Sequence, residues 1–171
     1  MNAIDLFNSW VKIGKDDGME SNHAKSVKYM LDLIPNKILS KHFSFLDLGC
    51  GNGWVVRQVK KIPNCHLSIG IDGSENMINK AILGDKDSNY FQLDINHMEF
   101  NTKVDIVFSM EVLYYLSDPK KTLKYIIDNM LTRDGVLVFG IDHYKENVQS
   151  LSWPEDLNVK MHTLSIDAWT N

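Results

Sequence analysis

The sequence predicts an α/β domain built on a mainly parallel sheet with helices on both faces. Three observations predict it. Short apolar runs, at residues 43–48 and 104–108 for example, read as strands with no polar face. They alternate with stretches whose apolar residues recur at helical spacing. The first strand also runs into glycines at alternate positions, Gly49, Gly51 and Gly53, just ahead of a helix. Near-continuous apolar strands alternating with helices belong to a sheet buried on both sides.

Two helical patterns open the chain. Ile4, Phe7 and Val11 share one face, and Leu6, Trp10 and Ile13 a neighbouring one. After residues 14–18, Val27, Met30, Leu31 and Ile34 recur at i, i+3, i+4 and i+7 until Pro35 stops the helix. The strand at 43–48 follows, then a helix through Val55, Val56, Val59 and Ile62, closed by Pro63. A second strand is expected at 66–71, and Ser74 is placed to cap a helix through Met77, Ile78, Ala81 and Ile82. Further strands are expected at 90–95 and 104–108. Asp118 followed by Pro119 marks a helix start, with Leu123, Ile126, Ile127, Met130 and Leu131 inward. Asp134 and Gly135 turn the chain into a last strand at 136–141. Residues 165–171 read as a helix just begun, with Trp169 aimed at a core, so the chain is expected to be a fragment of a longer protein.

A length of 171 residues suits one domain, and 44% hydrophobic with 23% charged residues suits an ordinary globular one. The formal charge is −4 and the pI about 5.8. Nucleic-acid-binding domains usually carry a basic face, so no nucleic-acid partner is expected. No apolar run approaches the roughly 20 residues of a membrane helix, and the N-terminus is not a signal peptide. Cys50 and Cys65 fit neither a zinc motif nor a disulfide framework. Reduced thiols, a cytoplasmic location and no metal are expected; the oligomeric state is not legible.

Chemistry concentrates at residues 45–53. Alternating glycines let the backbone turn tightly and approach a ligand that a Cβ would block. Their spacing is G-x-G-x-G, not the G-x-G-x-x-G of dinucleotide binders. Asp72 ends the second strand about 20 residues on, where an acid can accept both hydroxyls of a ribose. The bland alternative is an Asp that caps the turn ahead of Ser74.

LDLGCGNG (46–53), GIDGSENMI (70–78), LDI (93–95) and SMEVLYYLSDP (109–119) resemble the successive motifs of the class I S-adenosylmethionine (SAM)-dependent methyltransferases. The likeness is greatest to the small-molecule branch that includes ubiquinone and menaquinone methyltransferases. It covers about residues 43 to 141. It implies a Rossmann-like doubly wound sheet of order 3-2-1-4-5 in a single SAM-binding domain. Residues 1–40 would form a helical lid, 41–142 the core and 143–171 an incomplete C-terminal segment. Without the family's closing antiparallel strands, the fifth strand would be an exposed edge.

The resemblance also implies roles. Gly49, Gly51 and Gly53, with Cys50 and Asn52 between them, would pass beneath SAM, and Asp47 would support that loop. Asp72 would hold the ribose, with Gly73 and Met77 beside the adenine. Asp94 would bond the adenine amino group, with Ile95 close by. Met110 and Glu111 would line the far side. Met19 and His23 would belong to a lid over the methionine end. The implied reaction is methyl transfer to a small-molecule acceptor. Candidate catalytic groups are Tyr114, His143 and Glu111, and Trp10, Tyr144 and Trp153 are candidate acceptor-pocket residues. A SAM-binding sensor or inactive partner without turnover is the alternative. A nicotinamide-linked oxidoreductase is disfavoured by the glycine spacing.

Overall fold

The structure, a computed structural model, describes residues 1–170. Five strands, β1 (Phe43–Leu48), β2 (Cys65–Asp72), β3 (Asn89–Gln92), β4 (Val104–Met110) and β5 (Leu131–Gly140), form one sheet of order β3-β2-β1-β4-β5. Every pairing is parallel. This is the Rossmann-like order that the motifs implied. Central β1 is buried at all of its residues, which is why its sequence lacks a polar face.

Alternate side chains of the strands feed two cores. On one face Phe43, Phe45, Ile106 and Phe108 pack against Val27 and Met30 of α2 (Met19–Asp32) and Trp54, Val55 and Val59 of α4 (Trp54–Lys60). On the other, Leu46, Leu48, Ile69, Ile71 and Val107 pack against Ile126 and Met130. The short α3 (Asn36–Leu39) leads into β1, and Ile38 joins the first core.

Caps fix where the helices begin. Asn2 accepts the Asp5 N–H at the start of α1 (Ala3–Lys12), Ser74 the Met77 N–H at α5 (Glu75–Gly84), and Asp118 the Lys121 N–H at α6 (Pro119–Tyr125). The last two match the expected caps.

Two elements depart from expectation. β3 stops at Gln92 rather than running to 95, because Asp94 accepts the Asn96 N–H at 3.0 Å in a side-chain turn that draws the chain off the sheet. The helix expected to run to Leu131 ends at Tyr125 and widens into a π-helical turn, Ile126–Met130. That turn buries Ile126 and Met130 but leaves Ile127 58% exposed. β5 consequently starts at Leu131. Val104 pairs with Leu131 and Ile106 with Val136, so residues 132–135, including the expected turn at Asp134 and Gly135, bulge from the ladder.

β5 is the outer strand beside β4, half-buried over residues 136–140. Trp169 of α8 (Ile166–Thr170) lies against Phe139, ring centroids 6.4 Å apart. Asn171, the last residue of the helix expected there, lies outside the described residues. No helix among the described residues is long and apolar enough to cross a membrane.

Gly53 caps α4 with φ +79°, and a Cβ there would stand 2.7 Å from the Tyr90 ring and 2.9 Å from the Ala81 Cβ. Gly53→Ala combines a left-handed alanine with an overpacked contact, and should cost about 2–4 kcal/mol of stability. Urea unfolding monitored by circular dichroism should show a lower midpoint at unchanged slope.

Candidate active site

The carboxyl ends of the strands open into a cavity of about 410 Å³, roofed by the N-terminal helices and walled on one side by α7 (Trp153–Asp156). Its size suits a small ligand or cofactor. Its floor is the turn after β1. Gly49 has φ +81° and Gly51 φ +52°, and a Cβ on Gly49 would lie 2.1 Å from Val112 Cγ2. Bare backbone is therefore required where this loop meets both its neighbours and the cavity.

Asp72 fastens the floor. Its Oδ2 accepts the Gly51 N–H at 2.9 Å and its Oδ1 the Ser74 N–H at 2.8 Å. Both sequence readings of this residue meet here, since it caps the turn at Ser74 and also lines the cavity. A carboxylate has about four lone-pair sites, so two remain for a ligand's hydroxyls.

The site is rich in acids held away from water. Burial pushes the Asp47 carboxyl up to about 8, and the Asp72 charge adds to the rise. Burial also raises Asp72 itself, opposed by its two backbone bonds. Burial, then the charges of Asp72 and Asp47, drive the Cys50 thiol up, so it stays protonated and inert. At Asp94 burial acts upward, but bonds from His97 at 2.8 Å and from Asn96 outweigh it and hold the carboxyl below the ordinary range.

The far wall begins at Glu111, one of two non-glycine residues with positive φ among the described residues, at +60°. Its N–H bonds the Gly140 carbonyl at 2.9 Å, extending the β4–β5 ladder by one rung. The left-handed turn then brings Val112 onto Gly49 and carries Tyr114 and Tyr115 to the cavity. Tyr114 donates its hydroxyl to Glu111 Oε2 at 2.7 Å. Burial pushes Glu111 up to about 8. An aromatic belt follows: Tyr115 meets Tyr114 at 4.5 Å and Phe7 at 5.5 Å, and Phe7 meets Trp10 at 5.0 Å. Lys15 Nζ lies 4.1 Å over the Trp10 ring.

The structure brings Gly49, Gly51, Asp72, Gly73, Met77, Asp94, Ile95, Met110, Glu111 and Tyr114 to one cavity, with Met19, His23 and Trp10 above and Trp153 at the side. Asp47, Cys50, Asn52 and Gly53 lie outside its wall, in or beneath the loop. His143 is not brought to it. The ring is fully buried, with Nδ1 on the Ser150 carbonyl at 2.9 Å and Nε2 on the Thr163 hydroxyl at 2.8 Å, where it ties residues 143–163 together behind Tyr114 and Trp153. Tyr144 does not line the cavity either.

Sequence reasoning missed the residues that seat the roof. Asn8 Oδ1 accepts from the Ser74 hydroxyl at 2.8 Å and the Asn76 N–H at 3.0 Å, while Ile4 covers Gly73. Asp16 is fully buried, paired with Lys80 at 2.7 Å and with Asn52 at 3.2 Å. A charged residue in a polar stretch gives no burial signal by itself. Ser74, singled out as a cap and bonded here by Asn8, was the one of these partners that the sequence reading had marked for a local role.

A parallel sheet with a glycine floor, an acid after β2 and a second acid after β3 defines a nucleoside-binding α/β domain. The family is shown directly: a methyltransferase-domain family matches residues 39–164, and the chain belongs to it. Among curated proteins, the tRNA U34 carboxymethyltransferase of Histophilus somni is 31% identical over 123 residues, 68% of this chain and 37% of that protein. The enzyme of the same name from Pasteurella multocida is 29% identical over 136 residues, 75% of this chain and 41% of that one. The chain thus spans about two fifths of the length of these relatives. Among solved structures, a chain of the complex between the Haloferax volcanii Trm112 methyltransferase activator and a methyltransferase superposes with TM-score 0.86 at 30% identity, over 95% of this chain and 72% of that one.

These relatives overturn the expected partners. A small-molecule acceptor was implied by the resemblance and a nucleic-acid partner was set aside on the acidic pI, yet both of these curated relatives are named for a tRNA. The similar structure contains a protein activator. Net charge averages over the whole surface and does not describe the rim of one cavity. The relatives do not point to the ubiquinone and menaquinone branch.

Asp47 and Glu111 are raised to about 8 in the folded chain, against about 4 when unfolded. Between those values the native state holds more protons, so stability should fall as pH rises from about 4 to 8. Scanning calorimetry should show Tm declining across that range, with a shallower decline in Asp47→Asn.

Proposed function

We propose that this chain binds SAM across the carboxyl edge of its sheet and transfers the methyl group to a nucleoside of tRNA. The observation that carries the reading is Asp72, which ties the glycine floor to the β2 turn and keeps acceptor capacity on the cavity wall. Gly49 and Gly51 would pass under the adenosyl group, Asp72 would hold its ribose, and Asp94 with Ile95 would meet the adenine. Residues 1–40 would serve as the lid over a single domain, in a cytoplasmic protein whose two cysteines are free thiols.

The cofactor, when bound, supplies an electrophilic methyl group on a positively charged sulfur. The residues of the chain do the rest by placement. Ile4, Phe7, Trp10 and Met19 exclude water from above. Orienting an acceptor in line with the methyl group can lower a barrier by about 7–11 kcal/mol. The aromatic belt of Phe7, Trp10 and Tyr115, with Trp153 elsewhere on the wall, offers rings on which a base drawn out of its stack can lie. The tRNA acceptor is supported by the two curated relatives and by that belt.

Incubation with methyl-labelled SAM and unfractionated tRNA should place label in the RNA. Label that stays out of RNA at enzyme excess would refute the acceptor. Calorimetry with SAM separately tests the cofactor. Losing a charge-assisted bond costs about 1.5–3 kcal/mol, so Asp72→Ala should bind roughly tenfold to a hundredfold more weakly, while the exposed Asp87→Ala should match the wild type. Equal affinities in the two folded variants would remove Asp72 from the ribose.

A further inference from the structure

We propose that Glu111 is the catalytic base of this site, its Oε1 taking the proton from the O–H or N–H of the acceptor as the methyl group moves. The inference rests on the proposed transfer to tRNA and adds the group that makes its nucleophile.

Glu111 Oε1 is buried with no hydrogen-bond partner, and of the four such side-chain atoms among the described residues it alone belongs to a residue lining the cavity. Oε2 is occupied, accepting from Tyr114 at 2.7 Å. A carboxylate anchored through one oxygen, on a residue that lines a cavity and with its other oxygen left without a hydrogen-bond partner, is oriented for proton transfer. The backbone is held at φ +60° between the rung to Gly140 and the contact of Val112 with Gly49. Strain of this kind persists only where surrounding structure enforces it, and it clusters at functional sites.

The other candidates are already engaged. Both oxygens of Asp72 accept backbone N–H groups, and both of Asp94 accept from Asn96 and His97. His143 has both ring nitrogens bonded and lies off the cavity. The groups facing Glu111 are Tyr114 and Tyr115 on its own turn and Asp142 after β5, whose charge raises the Glu111 carboxyl while its backbone N–H favours the ionised form. With the carboxyl raised to about 8 by burial, the charged form is a stronger base than an ordinary glutamate.

The electron balance is simple. The acceptor's lone pair forms the bond to the methyl carbon, the carbon–sulfur bond breaks, and its pair stays on sulfur. The O–H or N–H pair stays on the acceptor, and the proton goes to Oε1. One positive charge leaves sulfur and one negative charge leaves Glu111.

The test uses the full chain, methyl-labelled SAM, unfractionated tRNA and S-adenosylhomocysteine. In Glu111→Gln, transfer should fall at least about a hundredfold, while S-adenosylhomocysteine affinity by calorimetry should stay within about threefold. Wild-type rate should climb with pH to a plateau near the Glu111 value, and the Gln variant should lose that dependence. Tyr114→Phe removes a bond that favours the carboxylate, so its midpoint should move upward; this second variant spares the strained residue. Transfer by a folded Glu111→Gln at the wild-type rate overturns the proposal and leaves the proposed function standing. Loss of S-adenosylhomocysteine binding also overturns it, placing Glu111 on the cofactor. A wild type that labels no tRNA but binds the cofactor fells the acceptor reading, and the base with it.

Discussion

One carboxylate holds the working edge of this molecule together. Asp72 accepts an N–H from the turn after β1 and another from the turn after β2, so two loops that would otherwise move independently share one anion. The Gly49 and Cys50 N–H groups add bonds to the Ile71 carbonyl at 2.7 and 2.9 Å. A loop fastened so firmly needs left-handed backbone at Gly49, Gly51 and Gly53. The cavity floor follows from that geometry, because no side chain projects where the glycines lie.

The same edge concentrates negative charge in poor solvent. Asp47, Asp72 and Glu111 are all raised by burial. This arrangement costs stability, since two of these groups hold protons that an exposed carboxyl would release near neutrality. A cationic ligand reverses the sign. Asp72 and Glu111 line the cavity, where a cation would favour their ionised forms, whereas Asp47 lies beneath the loop. Asp72 thus serves the fold through its two backbone bonds and the cavity through its charge.

Much of this was legible in the sequence, for identifiable reasons. Residues 43–48 are apolar but for Ser44 and Asp47 because β1 is central and covered on both faces, and the expected and observed strands coincide. Ser74 and Asp118 were readable as caps because a cap is a local contact. Asn8, Asp16 and the unpartnered oxygen of Glu111 were not, because each owes its role to residues far away in sequence. His143 misled for the same reason. A histidine just past a strand reads as a rim residue until Ser150 and Thr163 close over both of its nitrogens. The π-helical turn escaped because Ile126, Ile127, Met130 and Leu131 fit an ordinary helical stripe, and only packing against the second core selects the wider turn.

The roof over the cavity is held differently from the floor. Helix α2 is rooted in the core by Val27 and Met30, whereas only Leu6 of α1 is buried. What seats α1 is chiefly polar: Asn8 on Ser74 and Asn76, with Ile4 resting on Gly73. Such bonds exchange for bonds to water at a net cost of only about 0.5–1.5 kcal/mol each. The next turn is pinned more firmly by Asp16, buried against Lys80 and Asn52, and between the two stands Gly14 at φ +70°. Ile4, Phe7 and Trp10 of α1 and Trp153 and Asp156 of α7 line the cavity, so the parts of its wall with the fewest buried side chains, Leu6 in α1 and none in α7, are the two that cover it.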